Sequence, residues 1–267
     1  MAGSKGVDLV PRIASLVPSI TELLVDLGLA PWIVARTGFC IHPREVVRTI
    51  QKVGGTKDVQ LEKLERLAPT HVVVNVDENT RETVEALRRF VPEVVVTHPC
   101  DPRDNLALYT QMAEVFGAWG EVRARAAAWS EALHRELDRL EAQRWSERRV
   151  LYAIWRDPWM TVARDTYISR MLALVGWHTW PAVEGGPSGA ARYPAFEFDE
   201  RLVSEVEEVL LSSEPYRFTE AHVAEVSARL QALGSAARVR LIDAEMVSWY
   251  GSRAVRGLRY LAEFAAP

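Results

Sequence analysis

Two large aromatic side chains and an arginine stand close together in the stretch 248–253, which reads SWYGSR. Trp249 and Tyr250 offer ring faces and the guanidinium of Arg253 binds anions, so together they suit a surface that grips a flat, polar or anionic molecule. The stretch is expected to follow an apolar strand and to open the last helix. The alternative is that the rings pack into the core and that Arg253 pairs with a carboxylate. Gly251 favours an open loop, and therefore ligand contact.

The stretch 36–43, which reads RTGFCIHP, offers a second candidate surface, with a ring supplied by Phe39. Cys40 and His42 are spaced so that a thiolate and an imidazole can reach one soft metal ion, for example as an axial ligand to cobalt or iron, with Cys100 as a further candidate. The alternative is a buried cysteine beside a surface histidine. A structural zinc site needs about four ligands, and no second such pair lies nearby.

Two further pairs of candidate residues follow predicted strands in the second half of the chain. Trp155 and Trp159 flank a turn, and Trp159 is the better ligand candidate because Trp155 continues a strand. Glu214 and Tyr216 lie on either side of a proline that fixes a turn, where the carboxylate faces either a ligand or solvent. His222 is expected to be a surface residue near the start of the next helix.

Polar residues also follow strands in the first half. Asp77, Glu78 and Asn79 either contact a ligand or only cap the helix expected to start near them. Ser19 is expected to cap the first helix, with Glu22 three residues on. The full set of predicted ligand-binding residues is Pro18, Ser19, Phe39, Cys40, His42, Glu78, Asn79, Trp155, Trp159, Glu214, Tyr216, Trp249, Tyr250 and Arg253.

The sequence lacks the patterns of several enzyme classes. It has no Gly-rich phosphate loop, no nucleophile elbow of the Gly-x-Ser-x-Gly type and no paired-histidine zinc motif. A metal-dependent enzyme that uses Asp77 or Glu78 is the competing class. We therefore predict binding without chemistry, with no catalytic residue and no intrinsic cofactor.

The composition is that of an ordinary globular protein, since 48% of the 267 residues are hydrophobic and 25% are charged. A formal net charge of -4 without a basic run argues against a nucleic-acid surface. No apolar stretch is long enough to cross a bilayer or to serve as a signal segment, so no membrane insertion is predicted. The location is periplasmic or otherwise extracytoplasmic if a signal segment was removed, and cytoplasmic if Met1 is the native start. Two cysteines give no disulfide framework. Separately, the protein is expected to be a monomer.

Short runs rich in valine and isoleucine alternate with helical patterns, as in parallel sheets covered by helices. The predicted strands are 13–16, 33–35, 71–75, 94–97, 150–155, 209–212 and 239–242. The predicted helices are 19–27, 61–67, 81–90, 122–143, 169–175, 200–206, 222–233 and 252–263. The stretch 176–194, rich in glycine and proline, is predicted to be a loop.

These elements predict an α/β fold with two lobes, each with a mainly parallel sheet covered by helices, joined by one long rigid helix. The expected boundaries are 1–116 for the N-terminal lobe, 117–147 for the linking helix and 148–267 for the C-terminal lobe. Ligands of open α/β sheets bind beyond the carboxyl ends of the strands. Most of the candidate residues are expected to lie at those ends.

The order of these motifs resembles that of the class III solute-binding proteins of ABC importers, in particular the cobalamin-binding and helical-backbone metal receptor branch. The likeness covers nearly the whole chain, including the linking helix. The matching stretches are 12–23 (RIASLVPSITEL), 53–57 (VGGTK), 61–62 (LE), 68–72 (APTHV), 77–79 (DEN), 155–160 (WRDPWM), 211–216 (LSSEPY) and 248–253 (SWYGSR).

The resemblance implies a protein that binds a metal chelate, such as a corrinoid (cobalamin or cobinamide), haem or a siderophore, between two rigid lobes and delivers it to an ABC permease. In cobalamin-binding relatives, the positions that match Phe39, Trp249 and Tyr250 contact the corrinoid. Glutamates that dock on permease arginines match Glu62 and Glu200 by position. A cytosolic sensor or carrier of a metal or cofactor is the alternative function.

Overall fold

The computed structural model describes residues 10–266, which form two compact units. The first unit contains the described residues up to His98 together with Phe116–Arg125. The second unit contains Pro99–Val115 and the described residues from Ala126 onward. Each unit has its own parallel sheet, and the candidate residues are divided between the two sheets.

A parallel sheet of five strands forms the centre of the first unit. Its strands are β1 Ile13–Ser15, β2 Ile33–Arg36, β3 Gln51–Lys52, β4 His71–Asn75 and β5 Glu93–Thr97. Their order across the sheet is β3-β2-β1-β4-β5. Val72, Val73 and Val74 of β4 are fully buried, which explains the continuous apolar run at this point of the sequence. The sequence does not predict β3, because its two residues are polar and exposed.

Within the described residues, four α-helices lie wholly in the first unit. They are α1 Pro18–Asp26, α2 Arg44–Val47, α3 Leu61–Arg66 and α4 Arg81–Leu87. The predicted cap of the first helix by Ser19 is wrong, since α1 begins at Pro18 and no side chain caps it. A proline at the first helical position has no N–H to satisfy, and its fixed φ already suits the helix.

Two helices follow β5 in the chain, α5 Asp104–Phe116 and α6 Val122–Glu141. The second is the long helix that the sequence predicts. The first is missing from the prediction, although Leu108 and Met112, four residues apart, are both buried. The apolar residues of α5 are interrupted by polar ones, so its periodicity is weaker than that of a typical amphipathic helix.

Residues 99–115, which the sequence assigns to the first lobe, lie in the second unit. Asn105 Nδ2 donates to the Tyr167 hydroxyl oxygen at 3.1 Å. The Tyr109 hydroxyl donates to the backbone oxygen of Gly251 at 2.9 Å. These buried hydrogen bonds fix α5 against the segment that contains the SWYGSR motif.

The sheet of the second unit has four parallel strands. They are β6 Arg148–Ala153, β7 Trp177–Thr179, β8 Glu208–Ser212 and β9 Arg238–Ile242, in the order β7-β6-β8-β9. β7 corrects the prediction that 176–194 is entirely a loop. Its residues alternate, with Trp177 and Thr179 buried and His178 exposed, but three residues are too few for the pattern to stand out among glycines and prolines.

Five helices complete the second unit. They are α7 Tyr167–Ala173, α8 Glu200–Glu205, α9 Glu220–Ala232, α10 Ala244–Ser248 and α11 Arg253–Ala265. The motif follows β9 and opens α11 as predicted, but the short helix α10, which ends at Ser248, lies in the connection that the sequence predicts to be a loop. α10 and α11 pack closely, since a Cβ added to Gly257 would lie 2.1 Å from the backbone oxygen of Met246. No helix within residues 10–266 has the length and apolar character needed to cross a membrane.

Candidate functional site

Phe39 is the most exposed aromatic side chain at the carboxyl edge of the first sheet. It lies on the loop after β2 and is 62% exposed. The backbone N–H of Gly38 donates to the Gly54 oxygen at 2.8 Å, and a Cβ added to Gly55 would lie 3.3 Å from the Phe39 ring. The loop after β3 therefore supports the ring while most of its surface stays open to a ligand.

Two further exposed apolar residues follow strands of this sheet and are absent from the predicted set. Ile41 follows β2 on the same loop as Phe39, and Val76 directly follows β4. Both are exposed. The signal that could have identified them is an apolar side chain immediately beyond the end of a buried strand, where a core residue is not needed.

Cys40 is buried and its surroundings disfavour the thiolate that a metal requires. Its sulfur lies 3.2 Å from the Thr37 hydroxyl oxygen and 3.8 Å from the backbone oxygen of Ser15. Burial raises the pKa of the Cys40 thiol. Across residues 10–266, no group of three or more histidine, cysteine, aspartate or glutamate side chains could hold a metal ion. This geometry corresponds to the alternative of a buried cysteine, and leaves His42 as the more accessible of the two predicted metal ligands.

The loop after β4 is held by an asparagine. Asn79 Oδ1 accepts from the backbone N–H of Asn75 at 2.9 Å, and its amide nitrogen donates to the Thr56 oxygen at 2.9 Å. The cap of α4 is Thr80, which accepts from the N–H of Thr83. The alternative that Asp77, Glu78 or Asn79 caps this helix is therefore wrong.

Pro18 and Ser19 occupy the first turn of α1, directly beyond β1. Ser19 is buried and Pro18 is partly buried. Glu78, on the loop after β4, is also partly buried. All predicted ligand-binding residues of the first unit thus follow the carboxyl ends of its strands, as expected for a parallel sheet.

Trp155 forms the exposed aromatic surface of the second unit. It follows β6, is 41% exposed and meets the Tyr216 ring edge-on, with ring centroids 5.7 Å apart. Trp159 instead stacks on Phe218, with centroids 5.6 Å apart, and packs against the buried core. The turn that the two tryptophans flank directs Trp155 outward and Trp159 inward, so Trp155 is the more accessible of the two. The preference for Trp159 as a ligand contact stays a prediction.

The SWYGSR motif is tied to the loop after β8. Trp249 Nε1 donates to Glu214 Oε1 at 2.7 Å, and the Ser248 hydroxyl donates to the same oxygen at 3.3 Å. The guanidinium carbon of Arg253 lies 4.5 Å from the Trp249 ring centroid, and Arg253 also pairs with Glu245. An ordered ring, one guanidinium group and two carboxyl groups are therefore held together at the carboxyl edge of this sheet.

Trp249, Tyr250 and Arg253 are all buried. The Tyr250 ring meets the Tyr167 ring edge-on, with centroids 5.9 Å apart. The predicted alternative, in which the rings pack and Arg253 pairs with a carboxylate, describes these observed contacts. The motif thus has a structural role in this unit.

The sequence of this chain matches a family model described as periplasmic binding protein over residues 13–198, more than half of the chain. The chain belongs to the periplasmic binding protein family. This assignment confirms the predicted class, a solute-binding protein of the ABC-transporter type rather than an enzyme.

Similar proteins cover almost the whole chain of this periplasmic binding protein. YvrC of Bacillus subtilis (strain 168), described as an uncharacterized ABC transporter substrate-binding lipoprotein, is 21% identical over 262 residues, which cover 96% of this chain and 80% of YvrC. The periplasmic haem-binding protein HutB of Vibrio cholerae has a TM-score of 0.78 at 19% identity, over 97% of this chain and 100% of HutB. The periplasmic vitamin B12 binding protein BtuF of Vibrio cholerae has a TM-score of 0.76 at 17% identity, over 96% of each chain. These likenesses confirm the predicted class III fold.

Two glutamates of this periplasmic binding protein stand in the first turns of surface helices. Glu62 belongs to α3 and Glu200 to α8, and both are exposed. Acidic residues at these positions are favourable beside the positive end of any helix. Their placement therefore has an ordinary structural cause, and their role in docking stays a prediction.

We expect Glu214 to make the free energy of unfolding of the second unit depend on pH. Burial raises the pKa of Glu214, and the nearby Glu245 and Asp243 act in the same direction against the hydrogen bonds from Trp249 and Ser248. A carboxyl group with a raised pKa contributes stability that is complete below its ordinary pKa and is lost as the pH rises through the pKa in the folded protein.

We expect the Glu214→Gln variant to lack this loss. Relative to the wild type it should gain stability between about pH 4 and about pH 7, because glutamine mimics the protonated carboxyl group at every pH. Urea unfolding of both proteins at the two pH values measures the difference. Glu220→Gln, on the exposed first turn of α9, serves as the control. A difference between wild type and Glu214→Gln that is the same at both pH values would exclude this role of Glu214.

Proposed function

We propose that this periplasmic binding protein binds a metal chelate of the corrinoid, haem or siderophore kind and passes it unaltered to an ABC permease. The observation that carries the proposal is the pair of exposed rings, Phe39 and Trp155, each held by a loop at the carboxyl end of a parallel sheet. Such a ring offers a flat solute a stacking surface at a low entropy cost. The descriptions of HutB as haem-binding and of BtuF as B12-binding support this class of solute.

The residues that we propose to contact the solute are the predicted set at the two carboxyl edges. Among them Phe39, Trp155 and Tyr216 have accessible rings. His42 is the proposed axial ligand to the metal of the chelate, in preference to Cys40, because a buried thiol with a raised pKa is a poor ligand. The remaining proposed contacts are Pro18, Ser19, Glu78, Asn79, Trp159, Glu214, Trp249, Tyr250 and Arg253.

Tryptophan fluorescence tests the proposal directly. Cobalamin, cobinamide, haem and a ferric siderophore absorb in the range of tryptophan emission, so a bound chelate near Trp155 should quench the signal with a saturable, one-site titration curve. Free tryptophan titrated with the same solutes corrects for light absorption. If none of the four solutes gives saturable quenching with folded protein, the proposed function is wrong.

We propose that Glu62 and Glu200 contact arginines of the permease, and that the protein therefore works outside the cytoplasm. The description of YvrC as a substrate-binding lipoprotein supports that location. The double variant Glu62→Lys, Glu200→Lys should bind solute as the wild type does. It should lower solute uptake at least about tenfold in vesicles that contain the cognate ABC permease, because like charges would then meet at the interface.

Charge reversal at a different exposed glutamate provides the control for the docking experiment. Glu131 lies on α6 with its side chain exposed. Glu131→Lys therefore reverses the charge of a surface side chain and leaves α3 and α8 unchanged. Solute uptake with the Glu131→Lys protein should equal solute uptake with the wild type. Wild-type uptake by the Glu62→Lys, Glu200→Lys protein would refute the docking role.

A further inference from the structure

A histidine in the first turn of α9 is hydrogen-bonded through both of its ring nitrogens. His222 Nδ1 lies 3.0 Å from the backbone nitrogen of Thr219, and Nε2 lies 3.2 Å from the hydroxyl oxygen of Tyr216. A backbone N–H can only donate, so Nδ1 accepts, and a neutral imidazole then carries its proton on Nε2. His222 therefore donates a hydrogen bond to Tyr216.

This direction determines what the Tyr216 hydroxyl can offer. Its oxygen already accepts from His222, so its own proton points toward another acceptor. Within residues 10–266, the Tyr216 hydroxyl has no second hydrogen-bond partner. Tyr216 follows β8 at the carboxyl edge, and its ring meets the exposed Trp155. The edge thus presents one aromatic face and one hydroxyl proton side by side.

We propose that His222 positions Tyr216 as a hydrogen-bond donor to the solute, so that this edge selects a chelate with oxygen acceptors, carboxylates or amide carbonyls, at its periphery. The inference rests on the proposed solute-binding function. Trp155 contacts the flat part of the solute, and this contact depends little on which chemical groups the solute carries. The Tyr216 hydroxyl supplies discrimination, because a site built for a hydrogen bond disfavours a solute that leaves it unpaired.

The competing explanation is that His222 only stabilises the start of α9. That task needs an acceptor for the Thr219 N–H and nothing more, and glutamate or glutamine at the same helical position performs it. The donor on Nε2 is the additional property of histidine. Glutamine at position 222 can accept from Thr219 and donate to Tyr216, whereas glutamate can accept from Thr219 but cannot donate.

The matched variants His222→Gln and His222→Glu separate the two explanations. Both should keep the thermal stability of the wild type, since both satisfy the Thr219 N–H. With haem and with cobinamide as probes, His222→Gln should bind within about twofold of the wild type. His222→Glu should bind about tenfold more weakly, because the introduced carboxylate takes the Tyr216 proton away from the solute.

Tyr216→Phe is made in the wild type, in His222→Gln and in His222→Glu. Comparing its effect in the three backgrounds separates the contribution of the Tyr216 hydroxyl from the effect of the charge that His222→Glu adds. It should weaken binding about tenfold in the wild type and in His222→Gln, but less than about twofold in His222→Glu, where the hydroxyl no longer serves the solute. An equal effect of Tyr216→Phe in the three backgrounds would overturn the inference. So would equal binding by His222→Gln and His222→Glu.

A solute-free measurement examines the tautomer itself. In a two-bond proton–nitrogen correlation spectrum of protein labelled with ¹⁵N-histidine, the signals of His222, identified by their loss in His222→Gln, should show the proton on Nε2. A proton on Nδ1 would overturn the inference. With cobalamin and a ferric siderophore added as probes, a wild type that binds none of the four solutes contradicts the proposed function and this inference together. A wild type that binds a solute with no contribution from Tyr216 contradicts the inference alone.

Discussion

Phe39→Ala and Trp155→Ala should each weaken the binding of haem or cobinamide about 30-fold, which corresponds to about 2 kcal/mol. Both rings are exposed and fixed at a carboxyl edge, so each loses solute contact when truncated. Neither belongs to a buried core, and exposed substitutions change stability by about 0.5 kcal/mol or less. Isothermal titration calorimetry gives the affinities, and thermal unfolding confirms that the variants are folded.

An exposed apolar residue away from the carboxyl edges provides the control for both rings. Leu233 directly follows α9 and precedes β9, so it lies toward the amino-terminal edge of the second sheet, and it is 42% exposed. Leu233→Ala should leave binding within about twofold of the wild type. Wild-type affinity in both Phe39→Ala and Trp155→Ala would show that the solute does not use these edges.

Glu208→Gln should lower the free energy of unfolding of the second unit by about 3 kcal/mol. The Glu208 side chain is fully buried in β8 and pairs with Arg148 at 2.6 Å and with Arg240. The guanidinium groups of both arginines also lie over the Trp177 ring. Replacing the carboxylate leaves two half-buried cations that are held in place without a counter-ion. Urea unfolding followed by circular dichroism measures the loss.

An ion pair near the surface of the same unit provides the control for Glu208→Gln. Glu205 pairs with Arg201 at 3.0 Å on α8, four residues apart, and is more exposed than Glu208. Glu205→Gln should cost less than about 1 kcal/mol, because water screens an exposed pair. If Glu208→Gln lowers the free energy of unfolding by the same small amount, Arg148 and Arg240 are adequately solvated without the Glu208 carboxylate, and the prediction is wrong.

The fold could be predicted where each element carries a complete pattern. The buried valines of β4 and the alternating α/β order identified the parallel sheets, and α6 was visible from its length. Elements with few residues were not visible, since β3 has two polar residues and β7 has three. Short helices such as α10 are determined by tertiary contacts, here the close packing against Gly257, and not by local propensity.

The carboxyl edges could be predicted from the sequence, but the direction of individual side chains could not. Trp155 and Trp159 flank one turn, and only packing decides that Trp159 turns inward onto Phe218. The role of Thr80 depends on its hydrogen bond with Thr83, and that of His222 on its hydrogen bonds with Thr219 and Tyr216. Spacing alone does not specify these bonds. Motif order identified the family, whereas the accessible atoms within the motifs required coordinates.

Equilibrium dialysis of the wild-type protein against cobalamin, cobinamide, haem and a ferric siderophore, followed by recovery and mass analysis of the retained solute, tests the central claim most directly. We expect one of these chelates to be retained at one molecule per chain and to be recovered with unchanged mass. Retention of none of them, or recovery of a chemically altered chelate, would contradict the account of this protein as a binder of metal chelates.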